Sequence, residues 1–107
     1  HEFVLSIYKA SKDFPKEEQY RLKDQLCRSA ASIPANIAEG TGKNTLKDYI
    51  NFLYNARGSL EETKYHLILA KDLSYLEKES FKEFLSKINK IGKMLNGLIN
   101  SLEKSID

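Results

Sequence analysis

Residues that cross-link a chain or interrupt helices are scarce in this sequence. Its 107 residues include one cysteine, two prolines, five glycines and no tryptophan. The single cysteine excludes an intrachain disulfide and a paired-cysteine metal site, and it suits a reducing cytoplasm. With so few prolines and glycines, and no alternating run of β-branched residues, the chain is predicted to be all-α.

Long apolar runs and a strong excess of one charge are absent as well. No apolar segment is long enough to cross a bilayer and no signal peptide is visible, so we expect no membrane partner. Seventeen lysines and arginines stand against fifteen acids, and a net charge of +2 neither requires nor excludes a polyanion. The length predicts one domain over residues 1–107, and the start at His1 suggests that a first turn or two is missing.

Apolar residues recur at helical spacing in four segments. The second is predicted to begin at Pro15, because the missing backbone donor of proline would be unpaired in a first helical turn anyway. Short connections between long helices make neighbours run antiparallel, so we expect an up-down-up-down four-helix bundle. The first helix is predicted to span about 2–12, and the second to run from 15 until Gly40 and Gly42 end it. The third is predicted to begin at Asn44 or Thr45 and to end before the connection at 72–76, and the fourth to begin between 77 and 80.

The third and fourth segments carry apolar heptads, which predict the seam of the bundle core. In the third, the two series are Leu46, Leu53, Leu60, Leu67 and Tyr49, Ala56, Thr63, Ala70. In the fourth, they are Phe81, Ile88, Leu95, Leu102 and Phe84, Ile91, Leu98, and Leu85, Ile99 and Ile106 are predicted to widen this face. Four further apolar side chains of the third segment lie off this seam and indicate a second buried surface, hence self-association: Phe52, Tyr54, Tyr65 and Ile68.

Small residues dominate the stretch SAASIPANIAEGTG at 29–42. Pro34 inside it removes one backbone hydrogen bond, which predicts a tightly packed inner helix with a bend. Glu39 is the carboxylate of interest in this stretch. We expect it to form a structural ion pair with Arg57 on the antiparallel third helix.

No arrangement of residues predicts an enzyme, and we expect no catalytic residue, metal, cofactor or small-molecule substrate. The segment GTGKN at 40–44 misses two required positions of a phosphate loop, so it is interpreted as a helix terminator. A weaker idea is that Lys43 and backbone donors near Thr45 hold one phosphate. His66 is predicted to be a partly exposed histidine rather than a ligand, and Cys27 a small packing residue.

Basic residues recur along three of the predicted helices. Such stripes can track the phosphates of a nucleic acid. The alternative is a solvated face on which Arg57 pairs with Glu61 and Lys87 pairs with Glu83, and spacing alone favours this alternative. The basic residues concerned are Arg21, Arg28, Arg57, Lys64, Lys71, Lys87, Lys90 and Lys93.

Two motifs resemble the 23S rRNA intervening-sequence proteins, which are small bacterial four-helix-bundle proteins. The first joins FPKEE at 14–18 to the small-residue stretch, and the second is ARGSL at 56–60, with Phe52, Leu53 and Glu62 around it. The resemblance covers about residues 14–70. The motif residues are Pro34, Asn36, Glu39, Gly40, Gly42, Arg57 and Gly58.

The resemblance implies a non-enzymatic, cytoplasmic homo-oligomer that binds RNA or DNA. A relative in fold, the accessory protein of diversity-generating retroelements, resembles a five-fold ring that binds nucleic acid, which implies a homopentamer here. Cys27, Lys43 and Asn51 stand where relatives often carry arginine. The alternative function is a protein-interaction or scaffold module without nucleic acid. The candidate nucleic-acid-binding residues are Arg21, Arg28, Lys43, Lys47, Arg57, Lys64 and Lys71.

Overall fold

The structure, a computed structural model, describes residues 1–106 as four helices with short connections. The helices are α1 (Glu2–Ser11), α2 (Leu22–Thr41), α3 (Leu46–Asp72) and α4 (Lys78–Glu103), with a 3₁₀ turn (Lys16–Glu18) between α1 and α2. The predicted all-α architecture is confirmed, and these residues include no strand. Within the same range, no helix is both long and apolar enough to span a membrane.

Contacts across the bundle show that neighbouring helices run antiparallel, because residue numbers fall on one helix as they rise on the next. The contacts are Ser29 with Thr63 and Ser32 with Ser59 between α2 and α3, and Arg57 with Asn96 and Tyr54 with Glu103 between α3 and α4. Phe3 of α1 packs edge-on against Phe84 of α4, with ring centroids 6.2 Å apart. This contact closes the bundle.

The heptad series form the core, with one error of register. Six seam residues of α3 are buried: Leu53, Ala56, Leu60, Thr63, Leu67 and Ala70. In α4 the prediction is wrong for Leu98, which is 37% exposed, whereas Ile99 is 1% exposed. A seven-residue repeat drifts around a straight helix of 3.6 residues per turn, so the next residue faces inward near the end of α4.

The predicted start of the second helix is wrong. Pro15 has an extended ψ of 148° and precedes the 3₁₀ turn, whereas α2 begins at Leu22. Phe14 is buried and its ring lies 5.8 Å from that of Tyr75, while Gln19 Nε2 donates to the Phe14 carbonyl at 2.8 Å. These contacts hold the connection in a turn, and the first of them depends on a residue far away in the sequence.

The other helix ends follow the prediction. Thr45 caps α3, and its Oγ1 accepts a hydrogen bond from the Asp48 backbone N–H at 3.1 Å. Gly42 caps the C-terminus of α2, and α4 begins at Lys78, inside the predicted interval. α2 continues through Pro34 without interruption, and the bend there stays a prediction.

Candidate nucleic-acid interface

The small-residue stretch of α2 holds this helix against α3. Ser32 Oγ lies 2.8 Å from Ser59 Oγ, and Asn36 Nδ2 donates to Ser32 Oγ and to the Ser32 carbonyl, each at 2.9 Å. Inside the core, Thr63 Oγ1 lies 2.9 Å from Ser29 Oγ. Because these short polar side chains satisfy one another, they join two helices and leave no group directed at a substrate.

Gly40 allows the end of α2 to approach α3 closely. A Cβ at this position would lie 2.8 Å from Tyr49 Cδ1 and 2.9 Å from Phe52 Cβ, which is too close for real side chains. Any larger residue would therefore push the two helices apart at this end. The role of Gly40 in the motif is close packing between helices.

The predicted ion pair between Glu39 and Arg57 is wrong. Glu39 is exposed, and no cation among residues 1–106 pairs with it. Arg57 faces α4 instead: its Nη1 donates to Asn96 Oδ1 at 3.1 Å, and its guanidinium carbon lies 4.6 Å from the centre of the Tyr54 ring. Arg57 follows the buried Ala56, and one residue step of about 100° turns it away from α2.

Tyr54 continues this network to the end of α4. Its hydroxyl donates to Glu103 Oε2 at 2.6 Å. This hydrogen bond, assisted by desolvation and by the negative charge of Glu103, raises the pKa of Tyr54, and Arg57 acts in the opposite direction. Asn96 and Glu103 were not predicted as partners from the sequence, although the antiparallel register of α3 and α4 is the signal that pairs them with Arg57 and Tyr54.

The seven predicted nucleic-acid-binding residues fall on three surfaces rather than one. Arg21 and Arg28 lie at the outer side of α2, and each has a carboxylate beside it. Arg21 Nη1 is 4.0 Å from Glu18 Oε1, and Arg28 Nη1 is 3.4 Å from Asp24 Oδ2. Their charge is thus partly compensated.

Lys43 and Lys47 form the second surface, at the connection between α2 and α3. Both are exposed, and Lys43 Nζ lies 5.0 Å from the centre of the Phe52 ring. The Asp48 backbone N–H is already bonded to Thr45 Oγ1. The idea that Lys43 and nearby backbone donors hold one phosphate stays a prediction.

The third surface is a row of four cations along the boundary of α3 and α4, which we call the basic flank: Arg57, Lys64, Lys71 and Lys93. Arg57 contacts Asn96, and Lys71 Nζ lies 4.6 Å from the centre of the Phe81 ring, so both point towards α4. Lys64 is seven residues from each and shares their side of α3.

Lys93 is the member of this row that α4 supplies. Its neighbour Gly92 faces α3, because a Cβ there would lie 3.8 Å from Leu60 Cδ2. Between positions 84 and 102 the helix carries no carboxylate. The predicted pairs of Arg57 with Glu61 and of Lys87 with Glu83 do not form among the described residues. Lys71 Nζ lies 3.4 Å from Asp72 Oδ1, so its charge is partly compensated, whereas Arg57, Lys64 and Lys93 have no carboxylate partner among residues 1–106.

His66 and Cys27 are both buried. His66 is only 7% exposed, so its prediction as a partly exposed residue is wrong; its Nε2 lies 3.5 Å from Glu62 Oε1, yet neither ring nitrogen makes a hydrogen bond. Cys27 packs in the core with its sulfur 3.4 Å from Ser11 Oγ, as predicted for a packing residue. Residues 1–106 contain no group of three histidine, cysteine or acidic side chains placed to hold a metal.

Comparison with known proteins decides the relationship suggested by the two motifs. The family model described as 23S rRNA-intervening sequence protein matches residues 1–97. The chain belongs to this family. Among solved structures, it is similar to a protein of unknown function from the S23 ribosomal protein family of Bacteroides thetaiotaomicron, with 30% identity and a TM-score of 0.82 over 92% of each chain. No functionally curated protein matches the sequence.

In this member of the 23S rRNA-intervening sequence family, packing and helix capping account for three of the seven motif residues. Asn36 and Gly40 serve the contact between α2 and α3, Gly42 caps a helix, and Arg57 belongs to the basic flank. Gly58 differs from these, because it is exposed and a Cβ placed there would have no atom within 4 Å.

Proposed function

We propose that this protein is a cytoplasmic, non-enzymatic, self-associating four-helix protein that binds RNA or DNA through the basic flank. The observation that carries the proposal is the row of four cations along α3 and α4. The part of α4 that supplies Lys93 has no carboxylate between positions 84 and 102. The name of its family, which refers to 23S rRNA, agrees with an RNA ligand. The five-fold ring implied by the resemblance is the assembly we expect.

The side chains of the basic flank suit phosphate groups. Tyr54 and Asn96 orient the Arg57 guanidinium and use one of its N–H groups in a hydrogen bond, so further donors remain for a phosphate. Lys64 and Lys93 have no carboxylate partner among residues 1–106. Such contacts fix the position of a nucleic-acid backbone without reading its sequence.

Removal of the two unpaired lysines tests the proposal. We expect Lys64→Gln with Lys93→Gln to weaken the binding of a fluorescent 23S rRNA fragment several-fold at low salt, measured by anisotropy. The matched control is Lys9→Gln with Lys12→Gln on α1, where both lysines are exposed and the change in net charge is the same. Equal affinities for the two double variants, or no binding by the unmodified protein, would contradict the proposal.

A second candidate function is a protein-interaction module without nucleic acid. The observation in its favour is the exposure of aromatic side chains, since Tyr20 is 93% and Tyr65 is 59% exposed. The same titration separates the two candidates. Binding of a defined protein partner by a chain that is indifferent to the rRNA fragment at low salt favours this second function.

A further inference from the structure

Two glycines inside long helices have no explanation within a single chain. Gly58 of α3 and Gly97 of α4 are both exposed, and a Cβ placed at either would meet no atom within 4 Å. Glycine weakens a helix interior relative to alanine because its backbone loses more freedom on folding. Glycine at both positions would be explained if a helix of another molecule packed closely against the backbone there.

The surface around Gly58, which we call the glycine face, has two exposed aromatic rings and two acids on α3, while its third acid, Asp24, is paired with Arg28 at 3.4 Å. It consists of Gly58, Glu61, Glu62 and Tyr65 on α3, with Tyr20 and Asp24 at the start of α2. The α3 members are three or four residues apart and so lie on one side of the helix. Tyr20, Asp24 and Glu62 also line a groove of about 560 Å³ between the two helices.

A buried imidazole adjoins the glycine face. His66 lines the neighbouring groove, of about 260 Å³, together with Arg21, Gln25 and Tyr65. Neither nitrogen of His66 has a hydrogen-bond partner, although the residue is only 7% exposed. Glu62 Oε1 of the same chain lies 3.5 Å from His66 Nε2, so the carboxylate of the glycine face adjoins the buried ring.

A second surface, on α4, carries lysines and exposed apolar side chains that complement the acids and aromatic rings of the glycine face. The methionine edge consists of Lys87, Lys90, Met94, Gly97 and Leu98. Met94 is 74% exposed and Leu98 is 37% exposed. The two lysines have no carboxylate partner among residues 1–106 and belong to the stretch of α4 that has no acids. Ile91, one turn before Met94, lines a groove with Val4 and Ile37, so Met94 lies towards α1 and α2, whereas Gly97 adjoins Lys93 of the basic flank.

We propose that the methionine edge of one copy docks on the glycine face of another. The flexible thioether of Met94 fits beside Tyr20 and Tyr65, since methionine packs well against aromatic rings. The lysines of the edge meet the exposed carboxylates of Glu61 and Glu62. Glycine on both surfaces lets the two helices come close.

The two surfaces differ, so the association is head-to-tail. Such contacts close into a ring or continue as a filament, depending on the rotation between copies. This inference rests on the self-association in the proposed function. Arg57, Lys64 and Lys71 of the basic flank belong to neither docking surface.

Two single variants and their mixture test the docking. Gly58→Leu blocks the glycine face and Met94→Glu blocks the methionine edge, so each variant alone should sediment as a monomer in analytical ultracentrifugation. An equimolar mixture should form a one-to-one dimer, because each variant keeps the surface that the other has lost. Leu5→Glu on α1, which also places a charge on an exposed aliphatic position (55% exposed), should leave the assembly unchanged.

Three outcomes would overturn the docking: assembly by either variant alone, a mixture that stays monomeric, or an unmodified protein that is monomeric throughout the concentration range. Should Gly58→Leu fail to fold, Tyr20→Glu replaces it, because Tyr20 is 93% exposed. The variant Lys64→Gln with Lys93→Gln is measured for both RNA binding and assembly, because Lys93 adjoins Gly97 on α4. Loss of assembly with intact RNA binding, or the reverse, therefore identifies which claim fails.

Discussion

Gly40 and Gly58 lie in the interior of helices, yet their surroundings predict opposite effects of the same substitution. A Cβ at Gly40 would be 2.8 Å from Tyr49, whereas a Cβ at Gly58 would meet open space. We expect Gly40→Ala to lower the free energy of unfolding by about 1–3 kcal/mol through overpacking. Gly58→Ala should raise it by about 0.5–1 kcal/mol through helix propensity.

Urea denaturation in a Met94→Glu background, which removes the effect of association, measures both changes. A destabilised Gly58→Ala variant in that background would show that Gly58 has a role inside the single chain. A neutral Gly40→Ala variant would show that α2 and α3 separate without cost.

Tyr54 gives the stability a dependence on alkaline pH. Its pKa is raised in the folded chain, chiefly by the hydrogen bond to Glu103. A group with a raised pKa stabilises the fold below the unfolded value of 10.0, and this contribution disappears as the pH rises through the folded pKa. We therefore expect Tyr54→Phe to lower Tm at pH 7. The difference in Tm from the unmodified protein should vanish as the pH rises through the folded pKa, which lies above 10.0.

Comparison of the two melting curves at each pH isolates this tyrosine from the lysines, which titrate in both proteins. Glu103→Gln serves as the control, because it removes the charged acceptor and should flatten the same pH dependence. A difference in Tm that persists unchanged across this range would show that the Tyr54 hydroxyl has no such role.

Near the end of α4, the heptad pattern and the observed burial disagree at two adjacent residues. Ile99 is 1% exposed and Leu98 is 37% exposed, although the pattern places Leu98 inside. Ile99→Ala should cost about 2–5 kcal/mol, as is typical of large-to-small changes in a core. Leu98→Ala should cost less than about 1 kcal/mol in the Met94→Glu background. Urea denaturation of the pair measures both, and equal losses would contradict the register.

Much of the fold could be predicted from the sequence because it depends on local signals. The hydroxyl of Thr45 caps α3, and the heptads of α3 mark its buried side over several turns. The start of α2 could not be predicted, since Phe14 is anchored by Tyr75, a residue of another connection. The drift at Leu98 required the true helical repeat rather than a seven-residue one.

The candidate site was less predictable, because side chains that bind partners lie beside the core stripe. Arg57 is one residue from the buried Ala56, so a small rotation decides between Glu39 on α2 and Asn96 on α4. The recurrence of basic residues indicated Lys64 and Lys71 correctly as members of one row. It could not show that Arg21 and Arg28 belong to a different surface, since that depends on how α2 packs.

The assembled protein combines one nucleic-acid surface with two docking surfaces in this account. The basic flank carries nucleic acid, and the glycine face with the methionine edge joins copies. A closed assembly would repeat the basic flank once per subunit, and several linked contacts bind a long polyanion more tightly than one. The Met94→Glu variant should therefore bind a long rRNA fragment more weakly than the assembled protein, yet bind a short oligonucleotide equally well.

The slope of RNA affinity against salt concentration tests the role of the basic flank most directly. On logarithmic axes, each phosphate contact to a single strand adds about 0.7 to the slope. Loss of two contacts in Lys64→Gln with Lys93→Gln should therefore reduce the slope by about 1.4, while Lys9→Gln with Lys12→Gln leaves it unchanged. Parallel lines for all three proteins would show that the flank does not touch the nucleic acid.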